Sequence, residues 1–293
     1  MSKILVFGKN GQVGWELQRS LALMGDVMFL SREDQGGDLL DIDAMVARIR
    51  EEKPEIIFNA AAYTAVDAAE NDQETAKRIN CDAVAAMADV CKELNSLLIH
   101  YSTDYVFNGT GHRSWKEYDH TDPINVYGLT KAQGEAEIIK RAGRAYIFRT
   151  SWVYGIRGRN FVRTMLKIAK SRNSINVVND QIGTPTSATF VADVSAYLAL
   201  HRKTSQVEIF NLVPNGMVSW YGFASFIFSR IKKDQTLPIL NEIKSEDYRS
   251  IALRPLNSRL DNSKLAKTLP VGAIKNWDFY AQRVLEVLLN CKE

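Results

Sequence analysis

Short apolar runs alternate with amphipathic segments through the first two thirds of the chain, and this alternation constrains the fold most. A short apolar run suits a strand buried on both faces, and an amphipathic segment suits a helix that covers a sheet. Their alternation predicts an α/β fold, a doubly wound parallel sheet with helices on both faces. The predicted strands are "KILVF", "DVMFL", "EIIFNA", "SLLIHYS" and "RAYIFRTS", and the predicted helices are Gln12 to Leu23, Asp41 to Glu52, Thr75 to Leu94, Val126 to Arg141 and Asn160 to Ser171.

Beyond about residue 175 the pattern is less regular, with one predicted strand at "INVVN". Helices are predicted at Phe190 to His201, Trp220 to Lys232 and Trp277 to Leu289. We therefore expect a smaller α/β carboxy-terminal lobe that is interleaved with the first domain. The first domain is predicted to comprise residues 1–172 and part of 173–235, and the lobe most of 173–293.

Composition excludes several classes of protein. The 293 residues carry a net charge of only +3 from 37 basic and 34 acidic side chains, with no basic arm, so no nucleic-acid partner is predicted. No apolar run reaches the ~18 residues of a membrane span, and the apolar run after Lys3 is too short for a signal peptide. Cys81, Cys91 and Cys291 lack metal or redox spacing, so we expect reduced thiols and a cytoplasmic protein.

Three glycines follow the first predicted strand in "ILVFGKNGQVGWEL" and open the first predicted helix. Gly8 suits a tight turn, Gly11 lets the backbone approach a pyrophosphate, and Gly14 lets helix and strand pack closely. The spacing is Gly-x-x-Gly-x-x-Gly, and the alternative is three turn glycines in a loop. The small side chains of "FNAAAYT", Phe58 to Thr64, leave room for a ligand at a strand end, or they pack. Together these segments predict a Rossmann-like dinucleotide site.

The segment "DPINVYGLTKAQGE" sets Tyr127 four residues before Lys131, on the same face of a predicted helix. A phenol beside an ammonium ion loses its proton more easily, which makes such a tyrosine useful in acid–base catalysis. A solvated helix face with an incidental tyrosine is the alternative. A long connection, Thr103 to Asn125, precedes this helix, and loops of that length are often functional.

These motifs, with "NAAA", "RIN" ending at Asn80 and "HYSTDYVF", make the chain resemble the extended short-chain dehydrogenase/reductases. Within that superfamily, six segments resemble the dTDP-4-dehydrorhamnose reductases over roughly residues 3 to 261. The resemblance implies reduction of the C4 ketone of dTDP-4-dehydro-6-deoxy-L-mannose to dTDP-L-rhamnose by a reduced nicotinamide. The six segments are "GQVGWEL", "YSTDYVFNGTG", "NVYGLTKAQGE", "FRTSWVYG", "NDQIGTPT" and "RPLNSRLD".

The resemblance also implies roles for individual residues. Tyr127 would donate the proton, Lys131 would balance its charge and bind the nicotinamide ribose, and Thr103 would hydrogen-bond the substrate carbonyl. We expect NADPH as cofactor, with NADH possible. Relatives that use NADH well often have an aspartate at the position of Ser31, and such an acid would repel the 2′-phosphate of NADPH. Arg32 can pair with that phosphate. The expected cofactor-binding residues are Gly8, Gly11, Gln12, Val13, Ser31, Arg32, Asp38, Leu39, Ala61, Ala62, Tyr63, Thr64, Tyr127 and Lys131.

Substrate-binding candidates lie after the catalytic segment as well as in it. Arg254 and Arg259 offer guanidinium groups that suit phosphate oxygens, or they are ordinary surface charges. Trp152 either packs on the apolar face of a deoxysugar or fills the core. Thr103, Asp104, Asn160 and Asn257 complete the predicted set.

Assembly is predicted from two positions. Some relatives pair through a magnesium ion held by glutamates in two helices; Glu16 matches the first, but Thr189 stands at the second and cannot supply an anionic ligand. We therefore expect no metal site and a monomer or weak homodimer. The four histidines show no metal spacing.

Two other functions stay open from sequence. One is a reductase or epimerase of another nucleotide sugar, since the fold and the catalytic pair do not fix the sugar. The other is a cofactor-binding regulatory subunit similar to that of methionine adenosyltransferase. The joint presence of Tyr127, Lys131 and Thr103 argues against the second, because a binding module needs no proton donor.

Overall fold

A six-stranded parallel sheet forms the centre of the computed structural model, which describes residues 2–231 and 237–290. The strands are β1 (Lys3–Phe7), β2 (Asp26–Leu30), β3 (Ile56–Asn59), β4 (Leu97–Thr103), β5 (Ala145–Thr150), β6 (Val153–Tyr154), β7 (Ser174–Val178), β8 (Ile182–Gly183), β9 (Thr186–Ser187), β10 (Val207–Asn211), β11 (Val218–Ser219), β12 (Ile239–Ile243) and β13 (Asn257–Ser258). The central order is β2-β1-β3-β4-β5-β10, and every neighbouring pair is parallel.

Helices cover both faces of this sheet. They are α1 (Gln12–Ser20), α2 (Ile42–Glu52), α3 (Val66–Ala69), α4 (Gln73–Lys77), α5 (Ala83–Leu94), α6 (Val126–Arg141), α7 (Phe161–Ala169), α8 (Ala188–His201), α9 (Trp220–Ser229), α10 (Ser263–Ala266) and α11 (Trp277–Asn290). Shorter helical turns lie at Arg78–Asp82, which is π-helical, and at Asp104–Val106 and Ser245–Asp247.

The two-residue period of the strands divides the core between the two faces. Ile4 and Val6 of β1 pack with Leu17 of α1 and Leu198 of α8. Leu5 and Phe7 point to the opposite face, where they join buried side chains of α2, α5 and α6. The predicted doubly wound parallel sheet is thus confirmed.

The carboxy-terminal lobe has its own apolar core. Helices α7, α9 and α11 pack around Val162, Phe223, Ile227 and Leu285, beside the parallel pair β7 and β12. Strand β10 pairs with β5 in the central sheet, and α8 packs on α1, although both lie beyond residue 172. Residues beyond 172 therefore contribute to the central sheet and to its helical cover, and the division into a first domain and an interleaved lobe stays a proposal.

Several predicted helix ends need correction. The first helix ends at Ser20 instead of Leu23, and α9 ends at Ser229, while the predicted end at Lys232 lies outside the described residues. The predicted helix from Thr75 to Leu94 contains the π-helical turn at Arg78–Asp82, which periodicity alone does not reveal. Asp41 and Asn160 are amino-terminal caps whose side chains accept backbone hydrogen bonds, so they precede their helices.

No helix in residues 2–231 and 237–290 is long and apolar enough to cross a membrane.

Candidate active site

A cleft of about 920 Å³ opens at the carboxyl edge of the central sheet. Strand β1 has β2 on one side and β3 on the other, so the loops after β1 and β3 leave in opposite directions and a crevice forms between them. All predicted cofactor-binding residues line this cleft, as do Thr103, Asp104 and Trp152 from the predicted substrate set.

The glycine turn after β1 has no room for side chains. Gly8 has a φ of +84°, and a Cβ there would lie 2.7 Å from the backbone of Ala60 and Ala61. A Cβ on Gly14 would lie 2.0 Å from the Gly8 carbonyl oxygen, so Gly14 sets the close approach of helix α1 to the turn without lining the cleft. These positions require glycine because backbone packs directly against backbone.

Helix α1 begins beside this turn with unsatisfied backbone donors. Its N-cap residue is Gly11, which provides no side-chain cap, and its first turn carries no acidic residue. Free N–H groups and the positive end of the helix dipole suit the anionic pyrophosphate of a dinucleotide. The turn, the helix end and the cleft volume therefore fit a nicotinamide dinucleotide.

The far end of the cleft lies at the end of β2, where the Asp34 carboxylate already accepts hydrogen bonds from Ser31 and Lys9. The backbone N–H and the hydroxyl of Ser31 both donate to Asp34 Oδ2, at 2.7 and 2.8 Å, and Lys9 Nζ lies 2.7 Å from the same oxygen. Lys9 and Ser31 hold the pKa of Asp34 well below its usual range. Arg32 is exposed and lies 3.3 Å from Asp38, so its guanidinium stays accessible at the cleft edge.

Asn80 organises the segment after β3, a role that sequence reasoning missed although "RIN" was recognised. Its side chain accepts from the Tyr63 N–H at 2.9 Å and donates to the Tyr63 carbonyl at 3.1 Å and to Thr130 Oγ1 at 3.2 Å. The π-helical turn presents Asn80 to this loop, so a local helix distortion shapes the cleft wall.

Tyr127 and Thr103 meet at the base of the cleft. Tyr127 lies in the first turn of α6, behind the cap Asn125, whose side chain accepts from the Gly128 N–H at 2.8 Å. Helix α6 lies so close to the segment after β4 that a Cβ on Gly128 would lie 2.1 Å from the Tyr105 carbonyl oxygen. Burial raises the pKa of Tyr127 to about 12, and the neighbouring Thr103 side chain partly offsets this.

The prediction that Lys131 lowers the pKa of Tyr127 needs correction. Its amine donates to the Tyr101 carbonyl at 2.7 Å and lies 3.1 Å from His100 Nε2, and the pKa of Tyr127 is raised by burial instead of lowered by this lysine. Burial lowers the pKa of Lys131 to about 8. Tyr127 therefore keeps its proton near neutral pH, as a proton donor must.

The substrate side of the cleft contains a strained aromatic residue. Trp152 has a φ of +50°, unusual for a bulky side chain, and stacks on Trp220 with ring centroids 3.6 Å apart. Trp220, which sequence reasoning did not assign to the site, also lines the cleft. Asp104 is fully buried, burial raises its pKa to about 7, and its Oδ2 has no hydrogen-bond partner among the described residues.

Two predicted substrate-binding asparagines bond to protein groups, and their role toward substrate stays a prediction. Asn160 caps α7 and donates to the Gly155 carbonyl at 2.9 Å and to Gln12 Oε1 at 3.0 Å. Asn257 donates to the carbonyls of Thr110 and Arg113 at 3.2 and 2.8 Å. Both side chains are buried and neither lines the cleft, although Gln12, the partner of Asn160, does.

The two predicted arginines also lie off the lining of the cleft. Arg254 pairs with both carboxylate oxygens of Asp67, at 3.1 and 2.8 Å. Arg259 borders a separate depression of about 230 Å³, and its guanidinium donates to Asn257 Oδ1 at 2.9 Å. A phosphate-binding role for either arginine stays a prediction.

The predicted assembly positions lie on α1 and α8. Glu16 is buried and lies 3.5 Å from Arg19, which also bonds Asp193 of α8 at 2.6 Å. Thr189 is the second residue of α8. Among the described residues no group of three or more His, Cys, Asp or Glu side chains is placed to hold a metal ion.

The fold and site define a class of protein: a dinucleotide-dependent oxidoreductase of the extended short-chain dehydrogenase/reductase type, with Thr103, Tyr127 and Lys131 at the base of its cleft. The model of the RmlD substrate binding domain family matches residues 2–289. The chain belongs to that family, the dTDP-4-dehydrorhamnose reductases.

Three known proteins illustrate the similarity. The dTDP-4-dehydrorhamnose reductase of Escherichia coli K12 is 41% identical over 293 residues, covering 97% of each chain. The structure of the Bacillus anthracis dTDP-4-dehydrorhamnose reductase in complex with NADP has a TM-score of 0.89 and 30% identity, covering 98% of this chain and 99% of that one. The Thermus thermophilus UDP-glucose 4-epimerase, at 16% identity, 99% and 100% coverage and a TM-score of 0.79, shares the fold alone.

Proposed function

We propose that this chain reduces the C4 ketone of dTDP-4-dehydrorhamnose with NADPH and gives dTDP-L-rhamnose. The observation that carries the proposal is the meeting of Thr103, Tyr127 and Lys131 at the base of a dinucleotide-sized cleft, in a chain 41% identical to a named reductase of this sugar. Because the match covers 97% of the E. coli enzyme, the proposal concerns the whole activity and not one domain of it.

The residues divide the chemistry as follows. A bound reduced nicotinamide supplies the hydride, and Gly8, Gly11 and the start of α1 hold its pyrophosphate. Tyr127 donates the proton that the developing alkoxide needs, and Thr103 hydrogen-bonds the same oxygen. Lys131, charged below its pKa of about 8, stabilises negative charge at the base of the cleft.

Trp152 and Asp104 are the proposed contacts to the sugar. A stacked indole pair offers a flat apolar surface that suits the 6-deoxy face of the hexose, and Trp220 holds Trp152 in its strained conformation. The unpartnered Oδ2 of Asp104 lies beside Thr103, whose hydroxyl donates to the other carboxylate oxygen at 3.1 Å. A sugar hydroxyl at this position would satisfy that buried oxygen.

The assay that tests this function uses enzymatically made dTDP-4-dehydrorhamnose and NADPH, with the product identified by NMR. We expect dTDP-L-rhamnose and one equivalent of oxidised cofactor. UDP-4-keto sugars serve as the matched comparison, because preferential reduction of one of them would assign the chain to another nucleotide sugar. The absence of turnover with every keto sugar, despite cofactor binding, would favour a regulatory role.

Replacing the proposed proton donor tests the mechanism. Tyr127→Phe should lower turnover by about 10² to 10⁴-fold while cofactor binding persists, because only the acidic hydroxyl is removed. Tyr118→Phe is the control, since Tyr118 is exposed and lies outside the cleft. Turnover near that of the unaltered enzyme in Tyr127→Phe would assign the proton to another group.

Cofactor preference depends in this proposal on Arg32 at the end of β2. Arg32→Ala should lower kcat/KM for NADPH by about tenfold and leave that for NADH nearly unchanged, because a charge-assisted bond to the 2′-phosphate is lost. Arg50→Ala, another exposed ion-paired arginine, is the control. Ser31→Asp is less informative, because the new carboxylate would face Asp34. An unaltered enzyme that favours NADH would contradict this reading.

We propose a cytoplasmic monomer or weak homodimer without a metal bridge. The bridging position on α8 is Thr189, and Glu16 is already near Arg19 on its own helix. Light scattering of the full chain should give the same mass with magnesium and with chelator. A dimer that chelator dissociates and magnesium restores would contradict the proposal, and Glu16→Gln would then show whether this residue is a ligand.

A further inference from the structure

A buried row of polar side chains lies beneath the base of the cleft and joins α6 to β4 and β3. Lys131 Nζ lies 3.1 Å from His100 Nε2, and His100 Nδ1 lies 3.2 Å from Asn59 Nδ2. All three side chains are at most 1% exposed. Lys131 and Asn59 also line the cleft, whereas His100 lies behind them. The mechanism above gives His100 no role.

Two arrangements pair every donor and acceptor of this row, one for each charge state of Lys131. A charged lysine only donates, so His100 Nε2 must accept and the ring hydrogen lies on Nδ1, which then needs the amide oxygen of Asn59. A neutral lysine can accept from Nε2–H, and Nδ1 then accepts from the amide nitrogen of Asn59. The second arrangement has the Asn59 orientation in the structure, where Asn59 Oδ1 also accepts from the Ala61 N–H at 3.3 Å. The two arrangements differ by one proton and a rotation of that amide.

The surroundings keep the imidazole neutral. Burial and the nearby lysine lower the pKa of His100 well below its ordinary value. Glu135, a carboxylate on α6 near Lys131, is held by Arg149 through bonds of 3.0 and 2.6 Å. The polar, titratable and charged groups around the row come from three elements. Helix α6 contributes Lys131, Glu135 and Tyr127, and β5 contributes Arg149. Strand β4 contributes His100, Tyr101 and Thr103, and Asp104 directly follows it.

We propose that His100 is a positioning residue for the reaction, holding the amine of Lys131 at the base of the cleft and changing tautomer when that amine changes charge. The row ends at Asn59, whose amide does not ionise, so it holds the lysine and does not conduct protons to solvent. At equilibrium, deprotonation of Lys131 releases one proton from the lysine–histidine pair to solvent in the cleft that Lys131 lines, and the single ring hydrogen then lies on Nε2 while Nδ1 accepts from Asn59. This role in turnover rests on the proposed function, but the tautomer change does not.

Nitrogen-15 NMR of the full chain tests the tautomer without substrate or cofactor. The sequence has four histidines, and the signals missing from His100→Gln identify this ring. We expect the hydrogen on Nδ1 at pH 6 and on Nε2 at pH 10, with the change centred near the Lys131 pKa of about 8. Lys131→Met should abolish the change. The same tautomer at both pH values, a ring that becomes doubly protonated at pH 6, or a change that persists in Lys131→Met would overturn the proposal.

A matched pair of variants tests the positioning. The His100→Gln amide reaches the place of Nε2 and keeps a partner for Lys131, whereas the shorter His100→Asn amide reaches only the place of Nδ1. In the pH profile of kcat, we expect the loss of activity at alkaline pH, the alkaline limb, to occur at nearly the same pH in His100→Gln as in the unaltered enzyme. His100→Asn should move this limb to lower pH by about one unit and lower kcat about tenfold, because an acceptor for the ammonium is lost.

These outcomes separate positioning from packing. If His100 only filled space, both variants would lose stability and neither would move the limb, and that result would overturn the positioning role. Melting temperatures measured alongside identify a variant that fails to fold, in which case the NMR comparison decides. A chain inactive on every keto sugar would contradict the proposed function, yet the tautomer change would still be observed.

Discussion

The pairing of β1 with strands on both of its sides is the constraint on which the rest of the structure depends. Val6 lies opposite Phe29 of β2 and Phe58 of β3, so the backbone hydrogen bonds of β1 are used in both directions. The Gly8 N–H then bonds the Leu30 carbonyl, and the Ala60 N–H bonds the Phe7 carbonyl. These bonds fix the glycine turn against the two neighbouring strand ends and open the cleft between them.

Burial then determines the chemistry at the base of that cleft. It raises the pKa of Tyr127 to about 12 and that of Asp104 to about 7, and it lowers that of Lys131 to about 8. Each shift disfavours the charged form, because a low-dielectric interior stabilises charge less than water does. These shifts suit a reduction. Tyr127 stays protonated and can deliver a proton, which must then be replaced, and Lys131 is close to the pH at which it loses its charge.

Sequence reasoning was most successful where a motif is continuous in the chain. The glycine turn, "NAAAYT" and the Thr103, Tyr127 and Lys131 set all fall on the cleft, because each segment directly follows or opens an element whose period is readable. It was least successful for side chains whose partners are distant in sequence. Asn160 bonds Gln12, 148 residues away, and Asn257 bonds Thr110, 147 residues away, and neither contact is visible in the local pattern that suggested substrate binding.

By itself, the sequence determined the class of fold, the family and the location of the proposed catalytic residues, since apolar periodicity and short motifs are local properties. Only the tertiary structure decided how those residues are charged and held. The π-helical turn at Asn80, the stack of Trp220 on Trp152, and the row from Lys131 through His100 to Asn59 all join separate elements. Their contacts and pKa shifts exist only once folding brings these elements together and removes water from around them. The spacing of residues along the chain does not show which side chains will lose their water.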